Sequence, residues 1–289
     1  MTTLIFGASG QDGYYLSQFL AGKNIEVIPI SRKDARIQAD IADFDIVKGL
    51  VRRYKPDIIF DFAANSTTRH DVLFENHATI CTGSLNILEA VKTVSPQTKV
   101  FLSGSGLQFR NTGSPIKETD PFEARDAYSI CRIQSVYAAR YFRTLGIKAY
   151  VGYFFNHDSP IRTERHVAKM IANAVVNISK GRETPLEIGD LSVKKEWAFA
   201  GDIVEAVWTL VQQDEVFEAV IGTGQAYSIQ EYVEACFATI KKDWRQYVSL
   251  KQGFRSEYSQ LVSDPSTILS LGWTPPTDFN QLVQMMLKQ

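Results

Sequence analysis

Three glycines near the start of the chain constrain its fold more than any other feature. The apolar run 4–6 predicts a buried strand, and residues 15–20 predict a helix. Between them, Gly7, Gly10 and Gly13 follow the spacing G-x-x-G-x-x-G. The first glycine permits a tight turn, the second lets backbone approach a pyrophosphate, and the third lets the helix pack against the strand. Because the helix N-terminus also offers free amides to phosphate, this order of elements predicts a dinucleotide site.

Apolar runs continue to alternate with amphipathic segments through the first half of the chain. Further strands are predicted at 26–30, 57–62, 100–102 and 149–155, and helices at 44–54, 75–94, 127–142 and 166–180. This alternation predicts an α/β fold, a Rossmann doubly wound parallel sheet with the dinucleotide across the carboxyl ends of its strands. We assign residues 1–155 to the NAD(P)-binding Rossmann domain. Residues 156–289 are assigned mainly to a smaller C-terminal α/β lobe that binds substrate, with some segments returning to the sheet.

The residues after the second strand bear on the choice of cofactor. An acidic residue there would accept hydrogen bonds from a free ribose 2′-hydroxyl and favour NAD. The chain instead has Ser31-Arg32-Lys33, and two cations suit a 2′-phosphate. We therefore predict NADP, with NAD as the alternative if these two side chains are only solvated surface charges.

Composition excludes several classes of protein. The formal net charge of −1 gives no basis for nucleic-acid binding, and no apolar run approaches the length of a membrane span. The three cysteines, Cys81, Cys131 and Cys236, are scattered and include no C-x-x-C pair, which argues against a disulfide scaffold. No spacing of histidine, cysteine or carboxylates predicts a metal site. These features favour a soluble, cytoplasmic protein.

Several motifs together point to a known family. They span nearly the whole chain: Gly7–Gly13, Asp40-Ile41, Ala63–Ser66, Tyr128, Phe155–Pro160, Glu196-Trp197 and Ser263–Pro265. With them the chain resembles the extended short-chain dehydrogenase/reductases of the NAD-dependent epimerase/dehydratase superfamily. It is most similar to the branch that contains GDP-mannose 4,6-dehydratase and GDP-4-keto-6-deoxymannose reductase. The Gln-Asp pair inside the glycine motif and the string Phe-Asn-His-acid-Ser-Pro are the features specific to that branch.

The resemblance implies a catalytic set and a cofactor set. Tyr128 matches the family's acid/base, and Ser105 is the nearest candidate for the hydroxyl that orients the reacting oxygen. Arg132 stands where the family has a lysine that favours the ionised tyrosine and holds the nicotinamide ribose. The implied cofactor contacts are Gly7, Ser9, Gly10, Gln11, Asp12, Gly13, Arg32, Asp40, Ile41, Ala63, Ala64, Asn65, Tyr128 and Arg132.

The chain departs from the family pattern at three places. Arginine keeps the charge of the expected lysine at position 132, but its fork is larger. The glutamate that serves proton traffic between carbons 5 and 6 in the dehydratases is replaced by Gly106 or Leu107, depending on register. The family's long excursion after the second strand is absent, which disfavours its tetramer and leaves a homodimer. Tyr137 and Tyr141 lie four apart on one helix face and could pack against a partner or against the core.

On the substrate side, the resemblance implies a GDP-linked or other nucleotide sugar. Asn156 is expected to bind its diphosphate, with Lys195, Lys169 and Arg255 as further cations. Because the glutamate is missing, we predict hydride transfer at carbon 4 of a GDP-linked hexose or deoxyhexose, by a 4-keto reductase or a 4-dehydrogenase. Two alternatives stay open: a 4,6-dehydratase with a displaced acid, and a catalytically silent homologue that binds nucleotides.

Overall fold

The computed structural model describes residues 1–182 and 184–288. The strands are β1 (Thr2–Phe6), β2 (Glu26–Ser31), β3 (Ile37–Gln38), β4 (Ile58–Asp61), β5 (Lys99–Ser105), β6 (Ala149–Phe154), β7 (His157–Asp158), β8 (Leu186–Ile188), β9 (Lys194–Glu196), β10 (Ala198–Phe199), β11 (Glu218–Ile221), β12 (Ala226–Ser228), β13 (Val248–Leu250) and β14 (Gln260–Leu261). The helices are α1 (Gln11–Gly22), α2 (Phe44–Tyr54), α3 (Leu73–Asn76), α4 (Gly83–Val94), α5 (Ala127–Thr144), α6 (Val167–Ser179), α7 (Ala200–Val211), α8 (Ile229–Thr239), α9 (Ser266–Ser270) and α10 (Phe279–Leu287). A π-helical segment, His77–Thr82, joins α3 to α4.

Seven strands form one parallel sheet, in the order β11-β6-β5-β4-β1-β2-β3. The chain runs outward from β1 through β2 and β3, and then crosses back to continue from β4 on the other side. This reversal leaves a crevice at the carboxyl ends of β1 and β4, where doubly wound folds bind ligands. The predicted α/β doubly wound fold is confirmed.

Apolar layers cover both faces of the sheet. On β1, Leu4 and Phe6 pack in the layer that contains α2, α4 and α5, while Ile5 packs in the layer that contains α1 and α7. All three side chains are at most 1% exposed. Because both faces of the sheet are buried, its strands appear in the sequence as continuous apolar runs.

The second half of the chain contributes to two regions. Helices α6, α8 and α10 enclose a separate apolar cluster with β8, next to the small sheets β12-β9-β14 and β13-β8. Helix α7 packs against α1, and β11 pairs with β6, so these two elements belong to the main sheet and its layers. No helix in the described part of the chain is long and apolar enough to cross a membrane.

A partly buried cluster of one carboxylate and two arginines joins helix α5 to the edge strand β11. The Glu218 carboxylate accepts hydrogen bonds from Arg140 (2.9 and 2.7 Å), from Arg143 and from the Tyr153 hydroxyl (2.6 Å). Burial acts to raise the pKa of Glu218, but these bonds outweigh it and hold the pKa at about 2.

We expect Glu218→Gln to lower the free energy of unfolding at pH 7 by about 2–3 kcal/mol. Because the pKa of Glu218 is below its ordinary value of 4.5, its contribution is complete above about pH 4.5 and is lost as the pH falls to about 2. Denaturant unfolding at pH 7 and pH 3 measures both effects. Asp214→Asn removes an exposed carboxylate that pairs with Lys148 (2.7 Å) and also acts on Lys99, and it should leave the midpoint nearly unchanged. A Glu218→Gln protein as stable as the wild type at pH 7 would contradict this account.

Candidate functional site

The glycine turn between β1 and α1 is too tight for side chains at two positions. Gly7 has φ +79°, and a Cβ on it would lie 2.8 Å from backbone atoms of Phe62 and Ala63. A Cβ on Gly13 would lie 2.5 Å from the Gly7 carbonyl oxygen. Helix α1 begins directly after Gly10, so its free N-terminal amides face the crevice at the sheet edge. This geometry suits the pyrophosphate of a dinucleotide.

A cavity of about 570 Å³ lies beside this turn, against the ends of β1 and β2. Of the predicted cofactor residues it is lined by Gly7, Ser9, Gly10, Arg32, Ile41, Ala63 and Ala64. The Arg32 guanidinium lies 3.0 Å from the Glu75 carboxylate at the rim and is more than half exposed. Two predicted cofactor residues, Asp40 and Asn65, line neither this cavity nor the larger one described next. Asp40 is exposed and accepts a hydrogen bond from the Ala42 amide (2.9 Å), and the Asn65 side chain donates to Glu75 (3.4 Å).

A second cavity of about 810 Å³ continues from the glycine turn toward the C-terminal lobe. Its lining includes the predicted catalytic residues Ser105, Tyr128 and Arg132 together with the predicted substrate residues Asn156 and Lys195. Gln11, Asp12 and Gly13 line it as well. The fold therefore brings residues from distant parts of the chain into one cleft.

The two motifs specific to the resembled branch meet in this cleft. His157 Nε2 lies 2.8 Å from Asp12 Oδ1, and Ser159 Oγ donates to Gln11 Oε1 at 2.7 Å. His157 Nδ1 lies 2.8 Å from the Phe155 carbonyl oxygen. Burial acts to lower the pKa of His157, but the Asp12 charge and hydrogen bond outweigh it and raise the pKa. These contacts fix the glycine turn against the segment that follows β6.

The predicted catalytic residues lie on β5 and α5. Asp126 caps α5 by accepting hydrogen bonds from the Tyr128 and Ser129 amides, both at 2.8 Å, which sets where the helix begins. Tyr128 is 9% exposed and faces the cavity. Ser105 Oγ accepts a hydrogen bond from the Leu107 amide at 3.2 Å, and its hydroxyl proton stays available to a bound oxygen.

Arg132 is anchored to the sheet below Tyr128. Its Nη1 donates to the Ser103 carbonyl oxygen and to Ser103 Oγ (2.9 Å). The guanidinium carbon lies 5.0 Å from the centroid of the Tyr128 ring, and the side chain is only 5% exposed. Its buried Nε has no hydrogen-bond partner among the described residues. The arginine thus places a fixed positive charge beside Tyr128 and keeps a donor available.

Cations converge at the far end of the cavity. The Lys195 ammonium lies 4.4 Å from the Trp197 ring centroid, and burial lowers the pKa of this lysine, although the Asp158 charge opposes the shift. Arg162 also lines the cavity, and its buried Nε has no hydrogen-bond partner in the described part of the chain. Burial and the charge of Arg162 lower the pKa of His166 to about 4. The buried Asn156 Oδ1 is also without a partner among those residues, but this oxygen is an acceptor and would meet a donor such as a sugar hydroxyl rather than the anion itself. This end of the cavity is suited to an anion.

Comparison with known proteins identifies the family. A sequence model described as GDP-mannose 4,6 dehydratase matches residues 35–286. The chain belongs to the GDP-mannose 4,6-dehydratase family. GDP-mannose 4,6 dehydratase 2 of Arabidopsis thaliana is 30% identical, over 99% of this chain and 86% of that protein. The GDP-mannose 4,6 dehydratase of Homo sapiens is 32% identical, over 98% of this chain and 90% of that protein.

Solved structures share the same fold. An RMD from Pseudomonas aeruginosa complexed with NADPH has a TM-score of 0.86 at 20% identity, over 99% of this chain and 96% of that one. A UDP-glucose 4-epimerase from Thermus thermophilus complexed with NAD has a TM-score of 0.84 at 19% identity, over 99% and 98%. The resemblance inferred from the motifs is confirmed, and the chain is an enzyme of the nucleotide-sugar dehydratase/epimerase type.

Two cations that the family resemblance implied for substrate do not line either cavity. Lys169 Nζ donates to the Pro160 carbonyl oxygen at 2.7 Å, which supports the loop that carries Arg162. Arg255 is exposed on the surface. A substrate contact for these two residues stays a prediction. Conversely, sequence analysis missed Arg162 and His166, although two arginines and a histidine directly after the branch-specific string were a usable signal.

Proposed function

We propose that this family member is an NADP-dependent oxidoreductase that acts at carbon 4 of a GDP-linked hexose or deoxyhexose, as a 4-keto reductase or a 4-dehydrogenase. The two cavities that adjoin the glycine turn suit a dinucleotide, because the turn directs the free N-terminal amides of α1 toward the crevice between them. The pyrophosphate would lie on the α1 amides, the adenosine in the cavity beside Arg32 and Ile41, and the nicotinamide toward Tyr128. When bound, the cofactor supplies or accepts a hydride.

The residues of this chain would handle the proton that accompanies the hydride. Tyr128 would donate a proton to the carbon-4 oxygen in reduction and remove it in oxidation. Ser105 would hold the same oxygen by a hydrogen bond. The Arg132 charge, 5.0 Å from the ring, would stabilise the tyrosinate that forms. The diphosphate of the nucleotide sugar would lie among Asn156, Arg162 and Lys195 at the far end of the cavity.

We choose between the reactions from the carboxylates that line the main cavity and from the partners that already engage them. In the described lining these are Asp12, Asp34 and Asp158. Asp12 is bonded to His157, Asp158 lies 3.6 Å from Arg162, and Asp34 belongs to the loop after β2. Beside Ser105 the cavity is lined by Leu107, whose side chain has no ionisable group. A full 4,6-elimination needs an acid for carbons 5 and 6, whereas hydride transfer at carbon 4 does not.

A 4,6-dehydratase with a displaced acid is the second candidate. The curated relatives at about 30% identity are dehydratases. A smaller neighbouring cavity of about 260 Å³ shares Leu107 with the main one and is lined by Asp126 and Glu257. The Asp126 carboxylate caps α5, and Glu257 Oε1 accepts a hydrogen bond from Thr68 at 2.8 Å. If the chain dehydrates a GDP-hexose, Glu257→Gln should abolish that reaction.

The experiment that tests the proposal is a substrate panel. Purified protein is incubated with NADP(H) and with GDP-hexoses or their 4-keto-6-deoxy forms, and products are followed by mass. A change of two hydrogens with stoichiometric cofactor consumption supports a reductase or dehydrogenase. Loss of water without net cofactor change supports the dehydratase. Tight cofactor binding without turnover of any sugar supports the silent homologue, and Tyr128→Phe would then alter only binding.

The preference for NADP depends on Arg32. We expect Arg32→Gln to weaken NADP(H) binding by about 10–100-fold, as the loss of hydrogen bonds to a charged phosphate costs about 1.5–3 kcal/mol. Binding of NAD(H) should change little. Arg36→Gln is the matched control, because Arg36 is an exposed cation of the same loop outside the cavity lining. Fluorescence titration with both cofactors measures the effect, and equal losses for NADP(H) and NAD(H) would show that Arg32 does not read the 2′-phosphate.

We also propose a homodimer formed through α4 and α5. On these helices Leu85, Tyr137 and Tyr141 are 47%, 58% and 61% exposed, which is unusual for large apolar side chains on adjacent helices. The exposure of both tyrosines supports packing against a partner over packing in the core. Sedimentation should show a species of two chains, and a monomer at micromolar concentration would oppose the proposal.

A further inference from the structure

We propose that Asp61 is a positioning residue for the reaction, and that its buried carboxylate acts as the counter-charge that holds Arg132 beside Tyr128. The inference deepens the proposed function, because it assumes that Tyr128 is the acid/base. It concerns a residue at the end of β4 that no step of the proposed chemistry has used.

Asp61 is buried in the sheet edge below the cleft and is 2% exposed. Its Oδ1 accepts a hydrogen bond from the Ala63 amide at 3.0 Å, and its Oδ2 accepts a longer one from Ser84 Oγ at 3.5 Å. Two neutral donors do not compensate a buried negative charge. A nearby cation is required to keep this carboxyl ionised, and Arg132 is the cation that acts on it.

Ser103 connects the two charged residues. Its Oγ donates to the Asp61 carbonyl oxygen at 2.9 Å, and the same Oγ accepts from Arg132 Nη1 at 2.9 Å. Arg132 is itself 5% exposed, and a buried guanidinium also requires a counter-charge. Ser103 thus bonds both to the Asp61 main chain and to the Arg132 guanidinium, and this places the two buried charges in one cluster, where each can offset the other.

Two cysteine thiols also lie beside the pair. Cys81, from the π-helical segment, and Cys131, from α5, interact with Arg132, and burial raises the pKa of both thiols. Burial also raises the pKa of Asp61, to about 7, although the Arg132 charge and the Ala63 and Ser84 hydrogen bonds oppose that shift. The ionisation of Asp61 thus changes near neutral pH, and with it the net charge beside Tyr128.

The position of Arg132 explains why the carboxylate matters. A lysine ammonium is a point charge on a flexible stem, whereas the arginine fork requires fixed partners on several sides. Here one side is held by Ser103 and the other faces Tyr128. Without the Asp61 charge, the buried guanidinium gains by moving toward solvent in the cleft, away from Tyr128.

The first test needs no substrate. The infrared band of a protonated carboxyl, taken as wild type minus Asp61→Asn, should titrate near pH 7. In Arg132→Met its midpoint should rise by at least about one pH unit, because the cation that favours ionisation is gone. A midpoint that Arg132→Met does not move would overturn the proposal, even if the proposed reaction is correct.

The second test uses turnover with whichever sugar the panel identifies. We expect Asp61→Asn to lower kcat at least tenfold with little change in KM, and to remove an inflection near pH 7 from the pH profile. When Asp61→Asn is added to the Arg132→Lys variant, kcat should fall less than threefold, because lysine has no guanidinium for Asp61 to hold in place. Equal effects in both backgrounds, or an inflection that survives in Asp61→Asn, would overturn the role.

Two further variants guard against a simple folding defect. Ser84→Ala keeps the carboxylate and removes one hydrogen bond that favours its ionisation, so the inflection should move to higher pH. Asp202→Asn removes another buried carboxylate, bonded to Thr277 rather than to a cation, and should leave the inflection in place. If the inflection moved in Asp202→Asn and not in Ser84→Ala, it would not belong to Asp61.

Discussion

Tyr128→Phe is expected to lower kcat by about 10³-fold while the affinity for NADP(H) stays within a few-fold of wild type. The substitution removes one hydroxyl and retains the ring that lies 5.0 Å from the Arg132 guanidinium. The proton donor to the carbon-4 oxygen is then lost, whereas the packing of α5 against β5 is preserved. Single-turnover measurement with saturating cofactor isolates this step from product release.

The matched control is Tyr137→Phe on the same helix. Tyr137 is 58% exposed and outside both large cavities, so its hydroxyl should not affect kcat by more than about twofold. If Tyr128→Phe retained more than a tenth of the wild-type rate, a different group would be the acid/base, and the assignment of this cleft to the reaction would be wrong.

Gly13→Ala is expected to have the second-largest effect, on cofactor binding. The new Cβ would lie 2.5 Å from the Gly7 carbonyl oxygen and 2.6 Å from Ala8 Cα, both in the backbone of the glycine turn. Because backbone cannot rotate away as a side chain can, α1 and the turn must separate. Loss of two charge-assisted bonds to the pyrophosphate would weaken NADP(H) binding by about 100-fold. Overpacking would lower the free energy of unfolding by about 1–3 kcal/mol.

Gly49→Ala tests whether that effect comes from the contact or from the loss of a glycine. Gly49 lies within α2, and nothing is within 4 Å of the position that its Cβ would occupy. Alanine there should raise the free energy of unfolding by about 0.5–1 kcal/mol and leave cofactor affinity unchanged. Calorimetric titration and denaturant unfolding of both variants measure the contrast. A Gly13→Ala protein that binds NADP(H) like the wild type would refute the placement of the pyrophosphate.

The main sheet was predictable because its strands are local apolar runs bounded by turns. The ends of the individual strands and helices were less predictable. Strand β5 extends to Ser105 rather than ending at residue 102, since Ser103 and Ser105 pair with Gly152 and Phe154 of β6. Small polar residues do not indicate a strand by themselves, and only the neighbouring strand makes them part of one. The predicted helix at 75–94 is likewise interrupted by the π-helical segment His77–Thr82, which packs near Tyr128.

Site residues that belong to a sequence motif were predictable. Residues whose role depends on a contact with a distant residue were not. The glycine motif and the string that contains His157 were recognisable from sequence, and their contact through Asp12 follows from the fold. Asp61 gave no signal, because its importance depends on a cation 71 positions away along the chain. Lys169 shows another limit: a cation on a helix does not reveal which way its side chain turns, and here its Nζ donates to the Pro160 carbonyl oxygen. Charge interactions between distant elements depend on the tertiary structure and cannot be inferred from the local sequence.

The central claim is hydride transfer at carbon 4, and deuterated NADPH tests it most directly. Incubation of the purified protein with GDP-4-keto-6-deoxymannose and NADPH deuterated at the transferring position should give a product that carries one deuterium at carbon 4 and one equivalent of NADP⁺. In parallel, GDP-mannose with NADP⁺ should lose no water. Conversion of GDP-mannose to its 4-keto-6-deoxy form, with the cofactor unchanged at the end, would contradict the account and make this chain a dehydratase despite Leu107.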